Sequence, residues 1–502
     1  MSIYMLLTLL FVLSSVAGLW RIFEKAGYTG WYALVPFFNF YIWLKVIDKP
    51  LWWYIFIIIP YINVFTLLLM VVETLKCFRK DGLGEQALGV LFPFIYLPYL
   101  GFSPKEEYTH PSKLPVIKKS STREWADAII FAVIAATIIR TFFIEAYTIP
   151  TSSMEKSLLV GDYLFVSKLS YGSRVPMTPI AFPFAHHTMP LTESVKSYVE
   201  WIKLPYYRFP GLRKIRNNDV VVFNYPVGDT LSTKWQSNAS YYSFVRQFGR
   251  EEVWNNTENF GDIIARPVDK RENFIKRCVG IPGDSLEIIE GDIYINGELL
   301  PSPPNVQHNH HVKTNGSRLH PRILDRLDIT EASMVSQSEY VIPMSASVVE
   351  SLQKETIVTE VKKMIKRANY HEEHIFPFHE NYPWNEDNFG PLYIPKKGDV
   401  IEVNVDNIML WRRVIEAYEG NTLEVTDSQV IINGEVATTY QIQMDYYFMV
   451  GDNRHNSADS RFWGFVPEDH IVGRAMFVWL SLDKNKSFLN KIRFDKTFRV
   501  VR

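Results

Sequence analysis

The chain has 502 residues, enough for two or three domains with a sizeable core. Its 53 Lys and Arg are balanced by 54 Asp and Glu, and the net charge of -1 gives none of the basic footprint that nucleic acid demands of a partner. Two cysteines, Cys77 and Cys278, exclude a disulfide framework and a cysteine-based metal site.

Residues 1–102 read as a membrane domain of several spans. Tyr4 to Trp20 is nearly uncharged and about the minimum length for a crossing. Leu51 to Leu75 is longer but interrupted by Pro60 and Asn63, and Gln86 to Phe102 carries Pro93 and Pro98. Trp31 to Ile47 is aromatic, with Pro36 and Asn39, and can span or lie in the interface. An aromatic content of 15% suits such a setting. The start lacks the basic region of a cleaved secretory signal, and more apolar segments follow. Residues 103–124 form a polar linker with Lys113, Lys118, Lys119 and Arg123, and Trp125 to Ala146 then makes one full-length span. Basic residues before that span place the linker on the cytoplasmic side and everything after residue 147 outside. Arg79 and Lys80 fit this rule poorly under some counts of spans.

From residue 147 onward the chain is polar overall and rich in strand patterns. Val220 to Phe223, Asp292 to Ile295 and Val430 to Ile432 are short β-branched or aromatic runs. Asn296-Gly297 and Asn433-Gly434 are hairpin turns. Each lies ten residues after a Leu-Glu pair, which suggests a weak internal repeat; its register puts Arg413 where the first copy has Lys276. Segments 173–216 and about 300–390 read as insertions. The first, rich in Pro, Phe and Tyr, can rest on a bilayer. The second holds a helical stretch from Ala346 to Lys366, and His308, His310 and His311 in it read as a solvated loop rather than a metal site.

Three stretches carry chemistry. Ile149-Pro150-Thr151-Ser152-Ser153-Met154 places small hydroxyl residues between the last apolar span and a strand, with Gly161-Asp162 as a corner. Phe274 to Asp284 is a strand pattern ending in a turn, and Lys276 shares a face with Phe274 and Cys278. On an apolar face its amine would lose charge and could take a proton from a serine hydroxyl; on a solvent face it would be an ordinary surface lysine. Gly451 to Gly464 is dense in small polar residues, with Asp459 and Arg461 spaced to pair across a turn.

Together these stretches resemble the bacterial type I signal peptidases, membrane-bound Ser-Lys endopeptidases. The resemblance covers most of residues 125–482. It implies α-helical membrane segments followed by a mainly β catalytic domain of the signal-peptidase type, over residues 147–502, facing away from the cytoplasm of a bacterial inner membrane. It implies Ser153 as nucleophile, Lys276 as general base, and an oxyanion hole from the Ser153 N–H and the Thr151 hydroxyl. Ser457 would orient the Lys276 amine, with Asp459 and Arg461 bracing the loop. Tyr147, Ile149, Met154, Leu158 and Ile275 would line shallow pockets for small residues of secreted preproteins. No metal or cofactor is called for. Lys156, Ser157 and His455 depart from the family pattern, and residues 1–102 have no counterpart in its two-span members.

Ser153-Met154-Glu155-Lys156 also fits the Ser-x-x-Lys pattern of penicillin-binding proteins, but its Ser-Asp-Asn and Lys-Thr-Gly companions are missing. An inactive membrane-anchored binding protein on the same fold is a further alternative, opposed by the full set of catalytic positions. A self-cleaving Ser-Lys regulator would lack the multi-span anchor.

Overall fold

A computed structural model describes residues 3–58, 62–114, 121–192, 195–483 and 486–501. The chain divides into two compact units, residues 1–138 and 139–502.

The first unit is helical. Ile3–Lys25 packs along Pro93–Phe102, and glycine lets them approach: a Cβ on Gly18 would lie 2.5 Å from Pro98 N. Lys25 Nζ donates to the carbonyls of Leu100, Ser103 and Glu106, each at 2.7 Å, and so closes the end of the second helix. The remaining expected spans are broken. Trp31 to Ile47 becomes a short turn, Gly30–Leu34, and a helix, Phe38–Val46. Leu51 to Leu75 becomes Trp53–Ile58 and Ile62–Cys77, with Pro60 outside the described residues. Gln86 to Phe102 divides at Phe92, because Pro93 has no N–H to continue the preceding helix. Among the described residues, one helix is long and apolar enough to cross a membrane, Glu124–Phe142. Lys118 and Lys119 of the basic linker fall outside the described residues.

The second unit is mostly β. Its main sheet uses β1 (Ile144–Thr148), β2 (Asp162–Ser167), β3 (Val220–Asn224), β4 (Asn273–Gly280), β5 (Tyr446–Val450), β6 (Val466–Pro467), β7 (Ile471–Ser481) and β8 (Arg499–Val500). The order is β1-β2-β7-β3-β4-β5-β6, with β8 also on β7. All of these neighbours are antiparallel. Alternation along β3 and β4 feeds two cores: Val220, Val222 and Ile275 join Ile149, Met154 and Leu158, while Val221, Phe223, Phe274 and Cys278 join Met449 and Trp463.

The two Asn-Gly turns are present and alike. Asn296 and Asn433 adopt φ 53° and 54°, and the glycines after them 83° and 84°. Each asparagine side chain reaches back to a backbone N–H, of Ser285 and Thr422. The repeat stops there, however. Arg413 ends a helix, Ile408–Arg413, rather than lying on a strand.

Segment 173–216 is irregular, held by isolated bridges such as Arg174↔Arg208 and Ala181↔Tyr198. It leaves Leu191, Trp201 and Leu212 almost fully exposed. The second insertion is a folded lobe: a sheet of His308–Thr314, Ser333–Ser336, Glu339–Met344 and Val358–Lys363 over its own core, including Val312, Ile342 and Leu352. Two expectations are corrected here. The helix from Ala346 ends at Leu352, after which the β-branched alternation of Val358 to Val361 makes an edge strand. His308, His310 and His311 lie on a strand, not a solvated loop, and His310 is buried.

Candidate functional site

The nucleophile candidate sits where β1 runs out. Thr151 is extended (φ -126°, ψ 159°), and Ser152–Met154 then forms a single tight turn. The corner at Gly161 holds that turn against the sheet. Its φ is +92°, and a Cβ there would lie 2.1 Å from Leu482 O, so only glycine fits. The next residue, Asp162, accepts from Leu159 N at 2.9 Å, Ser481 Oγ at 2.6 Å and Arg499 Nη2 at 2.7 Å. Ser153 is buried, and Met154 and Leu158 anchor the turn in the core.

Lys276 lies on β4 opposite Val221, on the face shared with Phe274 and Cys278. Both faces of β4 are covered there, and Lys276 is itself buried. Lys276 Nζ is 2.6 Å from Ser153 Oγ and donates to Ile275 O at 3.1 Å. Burial disfavours the ammonium and brings its pKa down to about 8, against the opposing pull of Asp459 and Asp452. A serine hydroxyl thus faces an amine that titrates near working pH, the arrangement proton transfer between them requires.

The polar loop supports both partners. Asp452 receives two hydrogen bonds from Arg277, Nε at 2.8 Å and Nη2 at 2.6 Å. Asp459 accepts from Gly451 N at 3.0 Å and from Arg461 Nε and Nη2 at 2.9 and 2.7 Å. Burial pushes the Asp459 carboxyl up, but the Arg461 guanidinium outweighs it and holds the group below the ordinary carboxylate value. Ser457 is buried against Gly451. Its hydroxyl helps keep Asp459 ionised but finds no partner at full hydrogen-bond geometry, and the second acceptor of the Lys276 amine is Ile275 O.

Two residues escaped the sequence reading. Asn453 donates from its backbone N to Ser153 O at 3.1 Å and from Nδ2 to Ser152 O at 3.2 Å, and Asn456 Nδ2 donates to Ser152 Oγ at 3.0 Å. The only sequence signal was their place in a loop crowded with small polar residues. His455 is tied outward: its Nδ1 accepts from Asn309 N at 3.1 Å and its Nε2 donates to Asp387 at 2.9 Å.

Tyr147, Ile149, Met154, Leu158 and Ile275 come together in one apolar cluster. Ile149, Met154 and Leu158 are fully covered and form its floor, whereas Tyr147 and Ile275 keep accessible surface. Thr151 is exposed and its hydroxyl caps no backbone N–H. Lys156 turns away from Ser153: its Nζ pairs with Asp328, at 3.0 Å from the carboxylate. Glu372, His374 and Glu386 are the one grouping of metal-capable side chains among the described residues, and Lys366 Nζ already bridges both carboxylates, at 2.6 and 2.8 Å.

Residues 122–341 and 436–480 match the family "Signal peptidase, peptidase S26", and residues 31–111 match a family of unknown function, DUF5684. The chain is 23% identical over 354 residues to the signal peptidase I of Buchnera aphidicola subsp. Acyrthosiphon pisum, covering 70% of this chain and 74% of that protein. It is 24% identical to signal peptidase I of Haemophilus influenzae over 74% of each chain, and 20% identical to that of Aquifex aeolicus over 70% of this chain and 80% of the relative. With more than half its length matched by the family and the buried Ser153–Lys276 pair inside that match, the chain belongs to the signal peptidases of family S26.

Proposed function

We propose that Ser153 and Lys276 carry the peptidase chemistry of this chain, acting on the signal peptides of exported preproteins. The protein is a serine endopeptidase, and its activity is removal of signal peptides. One observation supports the assignment above all: a buried amine with lowered pKa lies 2.6 Å from the hydroxyl of Ser153.

In this reading neutral Lys276 takes the Ser153 proton as Oγ attacks the scissile carbonyl. The developing oxyanion is met by the Ser153 N–H, one of the groups a short turn leaves unbonded at its start, and by the Thr151 hydroxyl. The Lys276 ammonium then protonates the leaving amine, and water activated by the same lysine releases the acyl group from Ser153. Ser457, Asp459 and Arg461 hold the loop beside the amine. Tyr147 and Ile275, over the floor of Ile149, Met154 and Leu158, offer a shallow surface suited to small residues before the cut. Neither metal nor cofactor enters the reaction.

The membrane arrangement is part of the proposal. Residues 1–102 form a multi-span domain, 103–124 a cytoplasmic linker and 125–146 a crossing of the bacterial inner membrane. Residues 147–502 then act outside the cytoplasm. Ser173 Oγ donates to Phe142 O, which ties the start of the exposed apolar segment 173–216 to the end of the long helix, beside the bilayer. Cleavage of a preprotein by detergent-solubilised full-length protein tests the assignment: it should occur after a small residue and be lost in both Ser153→Ala and Lys276→Ala. Residual cleavage by either variant would remove that residue from its role.

A further inference from the structure

The lobe formed by residues 307–363 grips both loops of the site. On one side Gln307 N donates to Asp452 O at 2.8 Å, and Arg454 N donates to Gln307 O at 3.0 Å. On the other, the link after helix Pro321–Arg326 reaches the nucleophile turn. There the Lys156 ammonium donates to the Asp328 carbonyl and lies 3.0 Å from its carboxylate. Thr330 Oγ1 is 3.4 Å from Glu155 Oε1, and Asn456 Nδ2, which also holds Ser152 Oγ, is 3.4 Å from Glu331 Oε2. These contacts join residues more than a hundred positions apart in the chain, at Glu155 and Lys156 just after Ser153 and at the loop facing it.

Lys156 has reason to be held. Its φ is +67°, a region that side-chain-bearing residues seldom occupy, and the Asp328 it grips is at +54°. A left-handed lysine three residues after Ser153 sets the direction in which the chain leaves the nucleophile turn, and hence the aim of Oγ and of the Ser153 N–H. Its side chain is only 11% exposed, whereas Asp328 is 65% exposed and belongs to no core. An exposed carboxylate that holds a covered ammonium against a strained turn acts on the turn.

We propose that Asp328 is a positioning residue for the peptidase reaction: through Lys156 it latches the inserted lobe onto the nucleophile turn and fixes the aim of Ser153. The proposal rests on Ser153 being the nucleophile. A latch of this kind changes the rate of the chemical step and leaves preprotein binding alone, since neither Asp328 nor Lys156 belongs to the apolar surface of Tyr147 and Ile275. The pH dependence, governed by Lys276, also stays in place.

The test measures kcat, KM, their pH profiles and thermal stability for full-length protein in proteoliposomes with a preprotein substrate. Asp328→Ala should lower kcat about five- to tenfold with KM within about twofold, an unchanged midpoint on the pH profile and an unchanged melting temperature. Asp328→Glu, and the reversed pair Lys156→Asp with Asp328→Lys, should recover much of that loss. A kcat within about twofold of wild type for Asp328→Ala, or a loss that tracks a lower melting temperature without rescue, overturns the latch. Ser153→Ala, assayed alongside, separates the two readings. If it is inert while Asp328→Ala is normal, only the latch fails; if it still cleaves, the nucleophile assignment fails and takes the latch with it.

Discussion

Arg277 and Asp452 are buried together, each 1% exposed, and joined by two parallel hydrogen bonds, and the Asp452 charge acts on the Lys276 amine. Arg277 also donates to Asn218 O at 2.6 Å, so one guanidinium ties β4, the segment before β3 and the polar loop together. Two desolvated charges stand here only because each satisfies the other. Asp452→Ala would leave the arginine's charge buried without its carboxylate. The expected outcome is a loss of about 3 to 5 kcal/mol, read as a lower melting temperature of the peptidase unit, with activity falling in parallel.

The rate should depend on pH through Lys276. Burial lowers its pKa to about 8, so the neutral amine that accepts the serine proton becomes the majority form only above that value. The profile of kcat/KM should therefore rise with pH and level off above a midpoint near 8. A flat profile between pH 6 and 9, measured with a preprotein at low substrate concentration, would oppose lysine as the base.

The same shift makes stability depend on pH. The folded state binds its Lys276 proton less tightly than the unfolded chain, whose lysine titrates near 10.5. The unfavourable buried charge is therefore fully present below about pH 8 and is relieved as pH rises toward 10.5, worth about 3 kcal/mol across that window. Lys276→Met should be inert and yet melt higher than wild type at pH 7. Equal melting temperatures at pH 7 and pH 10 for both proteins would count against a strained amine.

Thr151→Val removes an exposed hydroxyl that supports nothing in the fold. If that hydroxyl meets the oxyanion, kcat should fall by about 100-fold or more while KM and melting temperature hold. An unchanged kcat would leave the Ser153 N–H as the donor by itself.

Lys156→Met distinguishes this chemistry from that of Ser-x-x-Lys enzymes. The Lys156 ammonium is engaged by Asp328 rather than by Ser153, so its removal should cost about five- to tenfold in kcat through the latch. Abolition of cleavage, with the protein still folded, would put the base at Lys156.

What the sequence revealed about the site was what local chemistry encodes. Pro150 beside a hydroxyl cluster, Gly161-Asp162 as a corner and the alternation around Lys276 all depend on neighbours within a few residues. The relation of Lys276 to Ser457 was not local, and the amine spends its second hydrogen bond on Ile275 O. Long-range closures were equally hidden: nothing near Asp328 announces Lys156, 172 positions away. Errors of element type arose where pattern and length disagreed. Ala346 to Lys366 has helical periodicity at its start and β-branched alternation at its end, and each half followed its own preference. Arg413 lay in a plausible register, but the segment that carries it folds as the helix Ile408–Arg413.

The position of β7 has a consequence for biogenesis. This strand, Ile471–Ser481, lies between β2 and β3 although almost the whole chain precedes it. Until it arrives, the strand leading from the Ser153 turn and the pair that carries Lys276 have no common partner, and the loop at Gly451 that clamps Ser152 and Ser153 is itself made late. Closing such distant pairs is the slow part of folding. In a nascent chain the strand after the Ser153 turn and the pair that carries Lys276 are therefore joined into one sheet only when Ile471–Ser481 has been made.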